Sequence, residues 1–167
     1  MVETLFAPWR FEYVTTVDRR DRDDCVFCRA LASQSDRDTL TLLRRSRCFA
    51  LLNLYPYTSG HCMVAPNVHV SDLDVLDDAT LAEIMITARQ LMRALRESYH
   101  PHGFNVGFNV GAAAGAGMEE HLHLHIVPRW RGDTNLMGVI GSTRVIPEDL
   151  GTTFDKLRSA LAAGEGV

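Results

Sequence analysis

Residues 121–127 read HLHLHIV, three histidines that alternate with apolar residues. Successive side chains of an extended strand point to opposite faces, so the histidines share one face and the apolar residues share the other. Neighbouring imidazoles would stand roughly 6 to 7 Å apart, since a strand rises about 3.4 Å per residue. Histidine has little preference for strands, which disfavours a purely structural origin. The run therefore predicts a strand with one apolar face in the core and one face whose histidines carry out the chemistry.

Length and composition bound the remaining possibilities. The chain has 167 residues, 46% of them apolar, which predicts a single domain over residues 1–167. Because no apolar run reaches about 18 residues and no signal-peptide pattern opens the chain, we expect a cytoplasmic protein without a membrane partner. A net charge of −4 argues against broad nucleic-acid binding. Four cysteines are too few for a disulfide scaffold, whereas the C-x-x-C at residues 25–28 indicates metal or redox chemistry.

Periodicity predicts an antiparallel α+β domain. The one long helix, residues 80–99, repeats apolar residues at helical spacing. Thr80 and Glu83 match a capping box, although Asp77 or Asp78 could cap this helix instead. The other expected elements are an arm over residues 1–24, a short helix over 25–34, strands over 39–44, 47–54, 61–65, 104–111 and 121–127, and a C-terminal segment over 131–167 with a helix at about 147–161.

The triad run resembles the His-x-His-x-His-x-x signature of the histidine triad (HIT) superfamily of nucleotide hydrolases and transferases. Upstream, residues 49–53 (FALLN), 56–61 and 64–66 look like the nucleoside-binding half of that fold. Residues 5–10 (LFAPWR) and 127–130 (VPRW) look most like the bacterial diadenosine tetraphosphate phosphorylase-type branch. The resemblance implies a five-stranded antiparallel sheet with one long and one or two shorter helices, paired as a homodimer.

The resemblance also implies roles for the histidines. His123 corresponds to the nucleophile, and its neutral imidazole would form a covalent nucleotidyl intermediate. His125 corresponds to the residue that hydrogen-bonds the reacting phosphate, with a purely structural hydrogen bond as the alternative. His61 lies where a family histidine supports the triad strand, and a buried core histidine is its alternative.

A structural zinc is implied by the same resemblance, with Cys25, Cys28, His69 and His121 as ligands. Zinc prefers four nitrogen or sulfur ligands in a tetrahedron. The alternative is a metal-free pair of core cysteines, with His121 bonded to a backbone group. No organic cofactor is expected, and Cys48 and Cys62 are expected to pack in the core.

Five residues are candidate nucleotide contacts. Asn53 resembles the residue that binds the ribose hydroxyls, with a turn-capping role as the alternative, and Asn109 resembles an amide that contacts phosphate. Gly117 stands near where related branches carry Gln or Ser, so backbone N–H groups of residues 115–117 could bind phosphate instead. Arg129 could stabilise the transferring phosphate or form a surface ion pair. Trp130 could stack on a base or pack against the body.

Three functions follow from the sequence. The favoured one is a homodimeric nucleotidyl transferase that splits dinucleoside polyphosphates through His123, with inorganic phosphate as acceptor, or water in a hydrolase acting on polyphosphates or phosphoramidates. The second is a zinc metallohydrolase in which two triad histidines hold a water-bearing metal. The third is a non-catalytic nucleotide-binding module.

Overall fold

The computed structural model describes residues 25–133 and 146–164. The predicted arm at residues 1–24 lies outside them, as do residues 134–145 and 165–167. The helices are α1 (Val26–Ala32), α2 (Asp78–Tyr99) and α3 (Leu150–Gly164); the strands are β1 (Thr41–Arg44), β2 (Cys48–Leu52), β3 (Cys62–Pro66), β4 (Gly103–Phe108) and β5 (Leu124–Arg129); two 3₁₀ turns cover Leu73–Val75 and Ala112–Ala114. None of the described helices is long and apolar enough to cross a membrane.

The five strands form one antiparallel sheet in the order β1-β2-β3-β5-β4. The predicted five-stranded α+β architecture is therefore confirmed. The triad strand β5 lies inside the sheet, between β3 and β4. Strands β2 and β3 are buried along their whole length, and this agrees with their largely apolar sequences.

The two faces of the sheet have different coverings. One face packs against α2 and α3 around a large apolar core that includes Leu52, Val64, Leu91, Leu124, Ile126, Leu157 and the fully buried Cys48 and Cys62. The other face packs against the short helix α1, which contributes Cys25 and Phe27. Because Met63 of this second cluster is opposite His125 in the β3–β5 register, the histidine face lies on the α1 side.

The start of α2 differs from the capping box that Thr80 and Glu83 suggest. Asp77 is the N-cap, and its carboxylate accepts the Thr80 N–H at 2.7 Å. Glu83 instead accepts hydrogen bonds from the Ser46 hydroxyl and the backbone N–H groups of Arg47 and Cys48. Its carboxylate thus ties α2 to the β1–β2 turn, an acceptor role that helical spacing alone does not reveal.

The triad strand also begins later than its alternation predicts. Regular pairing starts at Leu124, so His121 and His123 precede β5. Before that point the backbone bonds to a loop, since the Leu122 N–H donates to the Val70 carbonyl at 2.6 Å. The rings of His123 and His125 are closer together than a regular strand predicts: their centroids are 4.7 Å apart, edge to face.

Candidate active site and metal centre

His123 lies at the junction of α1 and the sheet and is 5% exposed. Its Nδ1 is 2.8 Å from the His121 carbonyl oxygen. A carbonyl can only accept, so Nδ1 carries the proton and donates it. In the neutral ring this leaves the lone pair on Nε2, and burial lowers the pKa of His123 and so favours that neutral form. Nε2 is therefore the atom of His123 that is available to act as a nucleophile.

A second chain of hydrogen bonds fixes the proton on His125. The Tyr57 backbone N–H donates to His61 Nδ1 at 3.1 Å, so the proton of His61 is on Nε2. His61 Nε2 is 3.0 Å from His125 Nδ1 and donates to it. His125 therefore keeps its own proton on Nε2, as a hydrogen-bond donor.

Burial also keeps His125 uncharged. Desolvation, with a smaller contribution from neighbouring His123, lowers the pKa of His125 to about 4. At neutral pH the two adjacent rings thus carry complementary functions. His123 presents a lone pair on Nε2, and His125 presents an N–H.

The four residues expected to bind zinc converge. The thiol and imidazole donor atoms of Cys25, Cys28, His69 and His121 all lie within 4.8 Å of one another. The Nδ1 atom of His121 is 3.3 Å from Cys25 Sγ and 3.6 Å from Cys28 Sγ, and His69 Nδ1 is 3.3 Å from Cys28 Sγ. The sequence placed these four residues together correctly.

Their geometry fits a tetrahedral ion. Zn–N and Zn–S bonds of about 2.0 and 2.3 Å place neighbouring ligand atoms about 3.3 to 3.8 Å apart, which matches the three measured separations. The Nε2 of His121 donates to the Pro66 carbonyl at 3.0 Å, so its Nδ1 lone pair points towards the cysteines. Burial raises the pKa of the Cys25 thiol, a cost that metal binding would offset by stabilising the thiolate.

The predicted nucleotide contacts occupy different parts of this face. Asn53 follows β2, and its side chain accepts the Tyr55 N–H at 2.9 Å, the turn-capping bond weighed as the alternative. Asn109 follows β4; extending the β4–β5 register by one pair places it opposite His123. Gly117 lies in the loop before the triad, whereas the Gly115 N–H is already bonded to Ala112 O. The roles of Asn53, Asn109 and Gly117 in nucleotide binding remain predictions.

The two C-terminal candidates favour their structural alternatives. Arg129 forms an ion pair with Asp133 at 2.5 Å and donates to the Asn105 side chain at 2.8 Å. It is four residues beyond His125, about 13 Å along the strand. Trp130 donates through Nε1 to the Tyr99 carbonyl at 3.3 Å, at the C-terminal end of α2.

Two aromatic residues of the site were not predicted. Phe27 packs its ring against His121 and His123, with centroids 5.1 and 4.7 Å apart. Tyr57 stacks on His61 at 4.7 Å and supplies the N–H that sets its tautomer. Phe27 could have been found from its position inside the C-x-x-C, whereas nothing in the sequence marks a backbone N–H as functional.

Comparison with known proteins agrees with this geometry. The HIT domain family matches residues 34–132. The chain belongs to the HIT family. It is 39% identical over 157 residues to AP-4-A phosphorylase of Mycobacterium tuberculosis, which covers 91% of this chain and 80% of that protein. It is 27% identical to Protein hit of Bacillus subtilis over 84% of this chain and 97% of that one.

Among solved structures, this HIT chain resembles a Zn-bound histidine triad family protein from Mycobacterium smegmatis. The TM-score is 0.71 at 29% identity, and the match covers 87% of this chain and 99% of the other. Family membership and the phosphorylase relative indicate an enzyme that acts on nucleotides. That relative is Zn-bound, and in this chain the donor atoms of the four-residue cluster lie close enough together to hold a metal ion.

Proposed function

We propose that the protein is a nucleotidyl transferase that cleaves dinucleoside polyphosphates through a His123-bound nucleotide, with inorganic phosphate as acceptor. The observation that carries the proposal is the juxtaposition of an Nε2 lone pair on His123 with an N–H on His125. The 39% identity to a diadenosine tetraphosphate phosphorylase, over most of both chains, supports the choice of substrate.

The first step is attack by His123 Nε2 on the α-phosphorus of one nucleotide. A P–N bond forms, and the bond from phosphorus to the bridging oxygen breaks, which releases the remaining nucleoside polyphosphate. As the bond forms, positive charge develops on the ring, and the His121 carbonyl stabilises it through Nδ1–H. His125 Nε2–H donates to the phosphate oxygens as they gain negative charge.

The second step transfers the nucleotide to the acceptor. An oxygen of inorganic phosphate attacks phosphorus, the P–N bond breaks, and His123 regains its lone pair. Diadenosine tetraphosphate would thus give ATP in the first step and ADP in the second. Hydrolysis shares the first step, but water gives AMP in place of ADP.

Four protein ligands at the metal site favour a structural role for zinc. Catalytic zinc sites keep a position open for water, whereas structural sites are closed by four ligands. When bound, zinc supplies a cross-link between α1, the His69 loop and the residues before β5. His125 Nδ1 accepts from His61 and its Nε2 keeps the proton, so of these two rings only His123 presents a lone pair. The geometry therefore disfavours a water-bearing metal held by both rings.

Product analysis tests the proposal. Diadenosine tetraphosphate is incubated with the protein, with and without inorganic phosphate, and nucleotides are separated by chromatography. We expect ATP and ADP only when phosphate is present. ATP and AMP at equal rates in both incubations would identify a hydrolase, and cleavage of nucleoside phosphoramidates alone would place the protein in another branch. The His123→Ala variant, expected to form neither product set, controls for contaminating activity.

Homodimerisation belongs to the same proposal. Within the described residues β4 is an edge strand that pairs with β5 alone. Its sequence GFNVGF carries no charge or proline, the devices by which proteins protect open strand edges. A second copy pairing along this edge would cover it. A cytoplasmic location also remains a prediction, with which the four free cysteines agree.

A further inference from the structure

Phe27 connects the metal cluster to the nucleophile. It lies between the two cysteines of the cluster, on the first turns of α1, and is 2% exposed. Its ring is tilted 33° against that of His123, with centroids 4.7 Å apart, and 45° against that of His121. One side chain thus contacts both a predicted zinc ligand and the predicted nucleophile.

The nucleophile needs such a support. The hydrogen bond to the His121 carbonyl fixes where Nδ1 points, but the torsion that rotates a histidine ring has broad energy wells. Nucleophilic attack requires Nε2 to be aligned with phosphorus, and small misplacements can lower the rate about a hundredfold. The tilted ring of Phe27 and the edge-on ring of His125, each with its centroid 4.7 Å from that of His123, restrict that rotation.

The position of Phe27 depends on what holds α1. A seven-residue helix is too short to be stable in isolation. Its C-terminal end is held by the Arg44 guanidinium, which donates to the carbonyls of Ala30, Leu31 and Ser33. At the N-terminal end the Cys25 side chain makes no cap hydrogen bond; its sulfur points into the metal cluster. Ligation of Cys25 and Cys28 would therefore fix the turn that carries Phe27.

We infer that Phe27 is a positioning residue: zinc held by the flanking cysteines sets its ring against His123 and so keeps Nε2 aligned for attack. The metal acts on the reaction through packing, not through contact with substrate. Phe27→Leu and Phe27→Ala progressively remove the flat ring surface. Leu31→Ala is the matched control, since it shortens a partly buried side chain of α1 that packs in the same cluster.

Nitrogen-15 NMR of the histidine rings tests this inference without substrate. In the zinc-loaded full chain we expect a single Nδ1–H tautomer for His123, and in Phe27→Ala a mixture or exchange broadening, with zinc content unchanged by mass spectrometry. Removing zinc from the wild-type chain with a chelator should produce the same broadening, and Leu31→Ala should not. A sharp, unchanged His123 signal in zinc-loaded Phe27→Ala, or in the zinc-free wild-type chain, would overturn the inference.

Kinetics provide the second measurement, and this part rests on the proposed function. We expect Phe27→Ala to lower kcat about 10- to 100-fold with little change in KM, because alignment and not binding is lost. Phe27→Leu should fall between Phe27→Ala and the wild type. If KM rose about 10- to 100-fold instead, at constant kcat, Phe27 would be a substrate contact and the positioning role would be contradicted. If no dinucleotide is cleaved by any form, the proposed function fails while the NMR result still decides the role of Phe27.

Discussion

Backbone groups distinguish histidines that look equivalent in the sequence. The Pro66 carbonyl sets the proton of His121, and the His121 carbonyl sets that of His123. The Tyr57 N–H sets which nitrogen of His61 carries the proton, and His61 in turn sets this for His125. A family resemblance can predict which side chains meet, as it did for the four residues of the metal cluster. Neither the resemblance nor the residue spacing predicts tautomers, because the deciding partners include backbone atoms. The Pro66 carbonyl is far from His121 in sequence, and the Tyr57 N–H acts on the distant His125 only through His61.

His61 should act on turnover through His125. In His61→Ala, His125 Nδ1 loses its donor and can take the proton itself, which removes the N–H from Nε2. We expect kcat to fall about 10- to 100-fold with KM nearly unchanged, because a hydrogen bond to the phosphate oxygens in the transition state is weakened. Steady-state kinetics with diadenosine tetraphosphate measure this effect.

His61→Gln is the matched variant, since its amide NH₂ can still donate to His125. It should recover a substantial part of kcat, whereas His102→Asn, at the surface end of β4, should behave as the wild type. Equal losses in His61→Ala and His61→Gln would indicate a packing role for His61 and contradict the tautomer argument.

Protonation of His125 should destabilise the fold in mild acid. Its pKa is lowered from 6.5 to about 4, so between these values the unfolded chain binds a proton that the folded chain does not. The stabilising contribution is complete above pH 6.5 and is lost as the pH falls through 4. The shift would correspond to about 3 kcal/mol, and partial exposure of the ring reduces our expectation to about 1 to 2 kcal/mol.

Urea unfolding of zinc-loaded wild type and His125→Gln between pH 7.5 and 4 measures this contribution. The wild type should lose stability more steeply below pH 6.5, and the difference between the two proteins isolates His125 from other acid effects. Parallel pH profiles would show that the folded and unfolded states bind the proton equally well.

At the scale of elements, sequence patterns predicted every described strand and α-helix to within a few residues. The predictions were wrong where contacts between residues distant in sequence determine the bounds or the cap of an element. The strand β5 starts at Leu124 because the preceding backbone bonds to the Val70 loop, and Glu83 bonds to the β1–β2 turn instead of capping its own helix. Such partners are distant in sequence and leave no periodic signal.

Arg44 illustrates a tertiary helix cap that the sequence did not reveal. Its guanidinium satisfies three carbonyls at the end of α1 and bonds to Asp36 at 2.7 Å. We expect Arg44→Ala to lower the free energy of unfolding by about 1 to 3 kcal/mol, because the charged donor to the carbonyls at the end of α1 is lost. Since α1 and its N-cap residue Cys25 supply two of the proposed metal ligands, zinc should also pass to a colorimetric chelator more rapidly.

Arg47→Ala is the control for this prediction. Arg47 belongs to the same hairpin, but its side chain forms an exposed ion pair with Asp77. Exposed pairs contribute about 0 to 1 kcal/mol, so stability and zinc transfer should change little. Equal effects of the two substitutions would show that Arg44 contributes through charge alone and not as a cap.

For the whole molecule, the sheet separates the apolar core on one face from the candidate site on the other. The face under α2 and α3 is an apolar core, and the face under α1 carries the metal cluster and the paired histidines. This separation follows from the alternation in the triad run, which is why one seven-residue stretch predicted the placement of the site. The oligomeric state does not follow from the triad run; the proposed dimer rests instead on the absence of charge and proline in the edge strand β4.

Val106 provides a test of the proposed dimer. It is 41% exposed on the edge strand β4, and Val110 is 38% exposed shortly after it. If two copies pair along β4, Val106→Lys places like charges next to each other in the dimer and desolvates them. We expect light scattering to show a dimer for the wild type and a shift towards monomer for Val106→Lys. Val75→Lys, a valine that is 66% exposed in a 3₁₀ turn, should leave the mass unchanged. Wild-type monomers at micromolar concentration, or a Val106→Lys protein that stays dimeric, would exclude pairing through this edge.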